Sequence, residues 1–162
     1  MISIETGNAI LRTFILFVQT AQALLKYADA SLYKGARLSV IKLIVLKALD
    51  VNNGVLSPSK LAEWTQTERN NITTLVKRMQ KDGLVTAERN SSDKRSVNII
   101  LTDKGREVLR QVMPVAQDII DRVMSSMTEV DIALLEKQLK TLRQDIYTAL
   151  GQSAFSVKRW PE

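Results

Sequence analysis

Asp93-Lys94-Arg95, followed six residues on by Leu101-Thr102-Asp103-Lys104-Gly105, is the stretch that decides the fold. The run Arg89-Asn90-Ser91-Ser92-Asp93-Lys94-Arg95 is too polar to be buried, and it separates two short segments, Leu84 to Glu88 and Ser96 to Leu101. In the second segment Val97, Ile99 and Leu101 fall on one face at the period of two that a strand imposes. The pattern predicts a β-hairpin whose tip carries two cations. Thr102 then offers an N-cap oxygen to a helix starting near Lys104, with Asp103 favourably placed in its first turn.

Immediately upstream, Gln66-Thr67 supplies a turn and an N-cap for a helix from Glu68 to about Lys81, ended by Gly83. At 100° per residue Ile72, Leu75, Val76 and Met79 share one face. Asn70, Thr73, Thr74, Lys77 and Lys81 share the opposite one, flanked by Arg69 and Arg78. No residue at the centre of that polar face is acidic. A helix plus a cationic hairpin is the arrangement that grips duplex DNA, the helix in the major groove and the hairpin on the backbone or minor groove.

Further out, Ser57-Pro58 starts another helix, with Ser as N-cap and Pro at the first helical position, burying Leu61, Ala62 and Trp64. Val55-Leu56 is a very short strand after the turn cluster Asp50-Val51-Asn52-Asn53-Gly54. Leu38 to Leu49 and Asn8 to about Tyr33 both show helical spacing of apolar residues. Downstream, a helix from Lys104 to Met127 is expected to kink at Pro114. A last helix restarts at Thr128-Glu129-Val130-Asp131 and runs to about Leu150. Phe155 and Trp160 suggest that the tail docks against the rest.

The 162 residues carry a formal net charge of +6. Residues 1–105 hold 15 Lys/Arg against 9 Asp/Glu, and residues 106–162 hold 8 against 8. The positive excess therefore sits with the hairpin and its helices, which favours a polyanionic partner there and a protein partner for the C-terminal third. Neither Cys nor His occurs, which excludes disulfides, thiol sensing, Cys/His zinc sites and His-dependent nucleophiles. No Gly-rich phosphate loop or nucleophile elbow is present, and Asp118, Asp121 and Asp145 lack a convergent partner. No catalytic residue, metal or cofactor is expected, and the chain is not an enzyme on this reading. The N-terminus lacks a basic n-region and a small-residue cleavage site, and the longest apolar run is Phe14 to Val18. The expectation is a cytoplasmic chain without a membrane partner.

The element order is helix, helix, short strand, helix, helix, strand, wing, strand, flanked by further helices. With Leu61-Ala62-Glu63, Ile72, Arg78-Met79, Gly83-Leu84-Val85, Asp93-Lys94-Arg95 and Leu101-Thr102-Asp103-Lys104-Gly105 in register, the chain resembles the MarR family of transcription regulators. The likeness covers about the whole chain in element order and is sharpest from Leu61 to Gly105. It implies a mainly α fold: a winged helix-turn-helix lobe, residues 37–105, with a small β-hairpin wing. Residues 1–36 and 106–162 would form helical segments that pair two copies.

The resemblance further implies that the helix near Glu68 enters the major groove and that Arg95 reaches the minor groove or its phosphates. Asp93 would orient the wing. One departure stands out: Ala87 and Glu88 occupy positions where basic residues are common in the family, with Arg89 as a substitute.

The DNA-contacting set expected from these arguments is Arg69, Asn70, Asn71, Thr73, Thr74, Lys77, Arg78, Lys81, Arg89, Lys94 and Arg95. Taken alone, Lys77 and Lys81 are adequately explained as a solvated helix face. The wing and the charge asymmetry shift the balance toward phosphate contact. Short polar side chains at Asn70, Thr73 and Thr74 suit base edges, against the plainer reading of surface filling or capping. Arg95 pairing only with Asp93 is the plainer reading at the wing; an Arg at a solvated turn tip suits minor-groove potential.

The function expected is a sequence-specific repressor, a homodimer on an inverted-repeat double-stranded operator, released by a small aromatic or other organic effector. Phe14, Phe17, Tyr27, Tyr33 and Trp64 are candidates to line the effector's pocket, against the plainer reading of packing. The alternatives are a sequence-independent architectural DNA-binding protein and a winged-helix protein-interaction module.

Overall fold

The computed structural model describes residues 4–89 and 97–151. The wing tip with Asp93, Lys94 and Arg95, and the tail with Phe155 and Trp160, lie outside the described residues. Six helices and a three-stranded sheet follow in order: α1 (Ile4–Ala36), α2 (Val40–Val51), β1 (Val55–Leu56), α3 (Pro58–Thr65), α4 (Arg69–Lys81), β2 (Val85–Arg89), β3 (Val97–Leu101), α5 (Asp103–Met124) and α6 (Glu129–Ala149). The sheet order is β1-β3-β2, antiparallel throughout, with Val55 opposite Ile100 and Ala87 opposite Ile99. This is a winged helix-turn-helix with helices before and after it.

Local chemistry sets most boundaries. Ser57 caps α3 by accepting the Lys60 N–H at 3.3 Å, with Pro58 in the first turn as expected. Thr102 caps α5 by accepting from Gly105 N at 3.0 Å. Thr128 and Asp131 form a reciprocal capping box on α6. The Thr128 hydroxyl and backbone N–H donate to Asp131 at 2.7 and 2.9 Å, and these bonds hold the Asp131 carboxyl below the usual carboxylate range. A depressed carboxylate stabilises above its unfolded pKa, so this cap holds at neutral pH and weakens only as pH falls through the lowered value.

Several expectations are corrected. Helix α1 extends beyond Tyr33 to Ala36, and α2 begins at Val40 rather than Leu38. There Ser39 takes the cap and Asp29 of α1 accepts the Val40 N–H at 2.7 Å. At α4 neither Gln66 nor Thr67 is the cap: Glu68 holds that position without a side-chain bond, and the Thr67 hydroxyl donates to the Thr65 carbonyl instead. Val97 is exposed while Ile99 and Leu101 are buried, because β3 leaves the core toward the wing. The span Asn8–Ala36 is long and apolar enough to cross a membrane by length and composition. Counting only the uninterrupted run Phe14 to Val18 missed this, since isolated Thr and Gln residues barely dilute it.

The core of the lobe is a single cluster under the sheet and α4. Leu46 and Leu49 of α2, Leu61 of α3, Ile72 and Met79 of α4 and Ile99 of β3 are fully buried, and Leu32 of α1 and Val112 of α5 join them. Each such side chain contributes about 1.5–3 kcal/mol by leaving water. Among the described residues no polar or charged side chain is buried. The core draws on all three segments of the chain, so α1 and α5 begin or end inside the lobe.

Gly105 fits because α5 starts against the residue that precedes β2: a Cβ there would run into the Leu84 carbonyl and lie 2.7 Å from Leu101 Cδ1. Alanine favours a helix over glycine by about 1 kcal/mol, but overpacking against backbone costs about 1–3 kcal/mol or more. Gly105→Ala is therefore expected to lose about 1–2 kcal/mol net, a drop of roughly 2–4 °C per kcal/mol in a thermal melt. Gly35→Ala, whose Cβ would meet only the Val115 methyls at 3.5 Å, is expected to melt at the same or a higher temperature. A melt of Gly105→Ala at or above the parent's would contradict the close approach.

Candidate nucleic-acid interface

Helix α4 divides cleanly. Ile72, Val76 and Met79 are buried and Leu75 is half-buried, while Arg69, Asn70, Asn71, Thr73, Thr74, Lys77, Arg78 and Lys81 are all exposed. The eight residues expected on this helix thus lie together on its outward side. Arg89 is exposed at the end of β2, paired with Val97 where the hairpin leaves the sheet. Lys94, Arg95 and Asp93 complete the expected set but lie outside the described residues. Ala87 and Glu88 are exposed on β2, so the departure in charge falls on solvent-facing positions at the base of the wing.

Some of the cations outside this surface, though not all, are held by carboxylates. Lys42, Lys47, Lys60, Arg106, Arg110, Arg122 and Lys140 all sit within ion-pair distance of a carboxylate. Among the described residues none of Arg69, Lys77, Arg78 and Lys81 does. Four exposed cations on one short helix, without a carboxylate partner among the described residues, make a positive stripe available to phosphates.

The threonines have a defined polarity. The Thr73 hydroxyl donates to the Arg69 carbonyl at 3.0 Å and the Thr74 hydroxyl to the Asn70 carbonyl at 3.2 Å. With their hydrogens turned back into the helix, both present oxygen lone pairs and methyl groups outward. Such groups accept from adenine or cytosine amino groups and pack on the thymine methyl. Asn70 and Asn71 add exposed amides in the first turn, able both to donate and to accept.

Both ends of α4 are tied down: Gly83 ends the helix as expected, and partners distant in sequence add to the hold. At its C-terminus Gly83 adopts φ +73°, and the Leu84 N–H closes on the Met79 carbonyl at 2.9 Å. Lys42 of α2 pairs with Asp82 at 2.7 Å, Lys104 of α5 donates to the Asp82 carbonyl at 2.6 Å, and the Thr102 hydroxyl lies 2.8 Å from the Gly83 carbonyl. At the N-terminal side, Gln66 ends α3 in the left-handed region, φ 53°, its amide donating to the Glu63 carbonyl at 2.6 Å. Its side-chain oxygen accepts from the hydroxyl of Tyr147 on α6. No local signal marks these partners: Lys42 and Asp82 are 40 positions apart, Gln66 and Tyr147 81.

Elsewhere, Asp118 pairs with Arg122 and Asp121 accepts from Gln117, each one turn away on α5. Among the described residues no three His, Cys, Asp or Glu side chains converge as a metal site would require. Phe14, Phe17, Tyr27 and Tyr33 lie exposed along α1, with the Arg37 guanidinium 5.0 Å from the Tyr33 ring centre. Trp64 packs half-buried against the lobe core.

Known proteins share this architecture. A family profile described as MarR family matches residues 38–96. The HTH-type transcriptional repressor YetL of Bacillus subtilis is 31% identical over 111 residues, which span 68% of this chain and 66% of that protein. The transcriptional repressor MprA of Escherichia coli is 27% identical, over 62% of this chain and 54% of the relative. The chain thus spans between half and two thirds of these curated relatives. Among solved structures, an organohalide-sensing transcriptional regulator in its 2,4-dichlorophenol-bound form superposes with a TM-score of 0.77 at 25% identity, covering 85% of this chain and 80% of that one. A MarR family regulator from Streptomyces coelicolor in complex with DNA gives a TM-score of 0.77 at 24% identity, covering 90% and 89%.

Proposed function

Because this chain belongs to the MarR family of DNA-binding transcription regulators, we propose that it is a repressor that binds an inverted-repeat operator as a homodimer in the cytoplasm. The observation that carries the reading is the stripe of exposed cations Arg69, Lys77, Arg78 and Lys81 on α4, none of which sits within ion-pair distance of a carboxylate among the described residues. On this proposal those cations and Arg89, Lys94 and Arg95 hold phosphates or the minor groove, with Asp93 orienting the wing. Asn70, Asn71, Thr73 and Thr74 touch base edges.

A second copy is the occupant we assign to the apolar surface of α1, α5 and α6. Phe14, Leu16, Leu25, Ile120, Leu134, Leu142 and Ile146 are all exposed, far more apolar surface than a monomer ordinarily leaves in water. A two-fold axis through these helices makes the contact self-complementary. To read an inverted repeat, the two α4 helices would stand about 34–36 Å apart, one helical turn of DNA. Residues 1–36 and 106–162 supply this pairing region and 37–105 the reading lobe. This assignment also accounts for the apolar span of α1 without a lipid partner. The effector class we propose is a small aromatic or other organic molecule, by likeness to the 2,4-dichlorophenol-bound neighbour. It would act by favouring one lobe separation over another.

The test is a titration against the chain's own upstream DNA and a scrambled duplex at two salt concentrations. The expected result is preference for the upstream site by ~10³ or more. Lys77→Ala and Lys81→Ala are each expected to weaken binding to both duplexes alike and to lower the salt slope by about 1. Equal binding to both duplexes that vanishes with salt would establish an architectural coating protein instead. No binding to any duplex would leave the winged lobe as a protein-interaction module.

A further inference from the structure

Tyr147 is the one residue of α6 that is buried among the described residues, at 8% exposure. Its helix otherwise presents Leu134, Leu135, Leu139, Leu142 and Ile146 to solvent. The hydroxyl of Tyr147 donates to the side-chain oxygen of Gln66. Gln66 is the left-handed residue that ends α3, and its amide closes on the Glu63 carbonyl at 2.6 Å. Only Thr67 and Glu68 separate it from the start of α4 at Arg69. Both polar ends of the Gln66 side chain are therefore engaged, one by its own helix and the other by α6.

We propose that Tyr147 is a positioning residue for the reading helix: through Gln66 it sets the turn that aims α4, and so links the apolar arm to the DNA-contacting face. The inference rests on the DNA-binding reading above. Local bonds close this turn, the Thr67 N–H on the Ala62 carbonyl at 3.1 Å among them, and the Tyr147 hydroxyl is the tie that reaches it from α6. Glu68 makes no side-chain cap bond, and a left-handed non-glycine residue persists only where its surroundings hold it. Docking of α6 adds a tertiary hold to the local ones. Any movement of the arm that withdraws Tyr147 releases the Gln66 oxygen and loosens the entry to α4, leaving the cations of the helix in place.

Tyr147→Phe keeps the ring and removes only the donor. Gln66→Asn keeps a residue that tolerates the left-handed region but is too short to reach the tyrosine. Both variants, their double and the parent chain are titrated against the upstream duplex and the scrambled duplex, with melting temperature and oligomeric state measured alongside. Each single variant is expected to weaken operator binding by about three- to tenfold, the range of one hydrogen bond. Binding to the scrambled duplex and oligomeric state stay unchanged, and the melting temperature falls by no more than a few degrees, the effect of one hydrogen bond. The double is expected to be no worse than either single, since both cut the same link. Operator affinity within twofold of the parent, an equal loss on both duplexes, or losses that multiply in the double would each overturn the proposal. A parent chain that binds neither duplex would instead sink the DNA-binding reading itself, so the two failures are distinguishable.

Discussion

A chain carrying Leu139→Glu and Leu142→Glu is expected to be monomeric and to lose operator affinity by about 10²–10⁴-fold. The two leucines are one turn apart on α6 and 37% and 47% exposed, so the carboxylates cost the isolated fold little. In a dimer they would face the partner's apolar side chains, and burying an unpaired carboxylate costs several kcal/mol. Without pairing, each lobe meets its half-site alone and the gain from linking two lobes disappears. Light scattering or sedimentation reads the mass, and a single half-site duplex serves as the control, expected to bind parent lobe and variant alike. A variant that stays dimeric with parental affinity would place the partner contact elsewhere.

The second large effect contrasts adjacent residues. Ile72→Ala is expected to cost about 2–5 kcal/mol, because it empties a fully buried site under α4 whose surroundings relax only partly. Against a total stability of about 5–15 kcal/mol, the thermal midpoint should fall by roughly 5–15 °C. Thr73→Ala, one residue on and exposed, is expected to shift stability by no more than about 0.5 kcal/mol. It should nonetheless weaken the operator complex by about tenfold with little change on a scrambled duplex. Melting curves and duplex titrations of the two variants check both halves. Equal stability losses would mean that α4 is not divided into a packed and a reading face.

Much of this arrangement is legible from residue order because it depends on local rules. Period-two alternation at Ile99 and Leu101, the Ser57-Pro58 start of α3, the Thr102 and Thr128 caps and the apolar spacing Ile72-Val76-Met79 each involve neighbours within a few positions. The outward set on α4 follows from the same periodicity. What stayed hidden depends on tertiary approach. Asp29 reaches the start of α2, Lys42 and Lys104 converge on Asp82, and Tyr147 finds Gln66. Val97 follows the alternation yet is exposed, because the strand leaves the core before the pattern ends. The helix-start signal at Thr67 failed for a related reason: its hydroxyl is satisfied within the preceding turn.

Helix α1 is one unbroken rod of 33 residues, with Leu32 locked in the lobe core and Phe14 well outside it. The axial distance between those two positions is about 27 Å at 1.5 Å per residue. A rod gripped at one end converts rotation at the other into translation. Tilting this segment by about 7° displaces its end by about 3.3 Å, close to the 3.4 Å rise of one base-pair step. Sub-ångström adjustments among side chains around Phe14 thus need only a small angular error to put a lobe out of phase with the double helix. On the proposed dimer the longest helix would act as a lever, with the α4 surface carried at its far end.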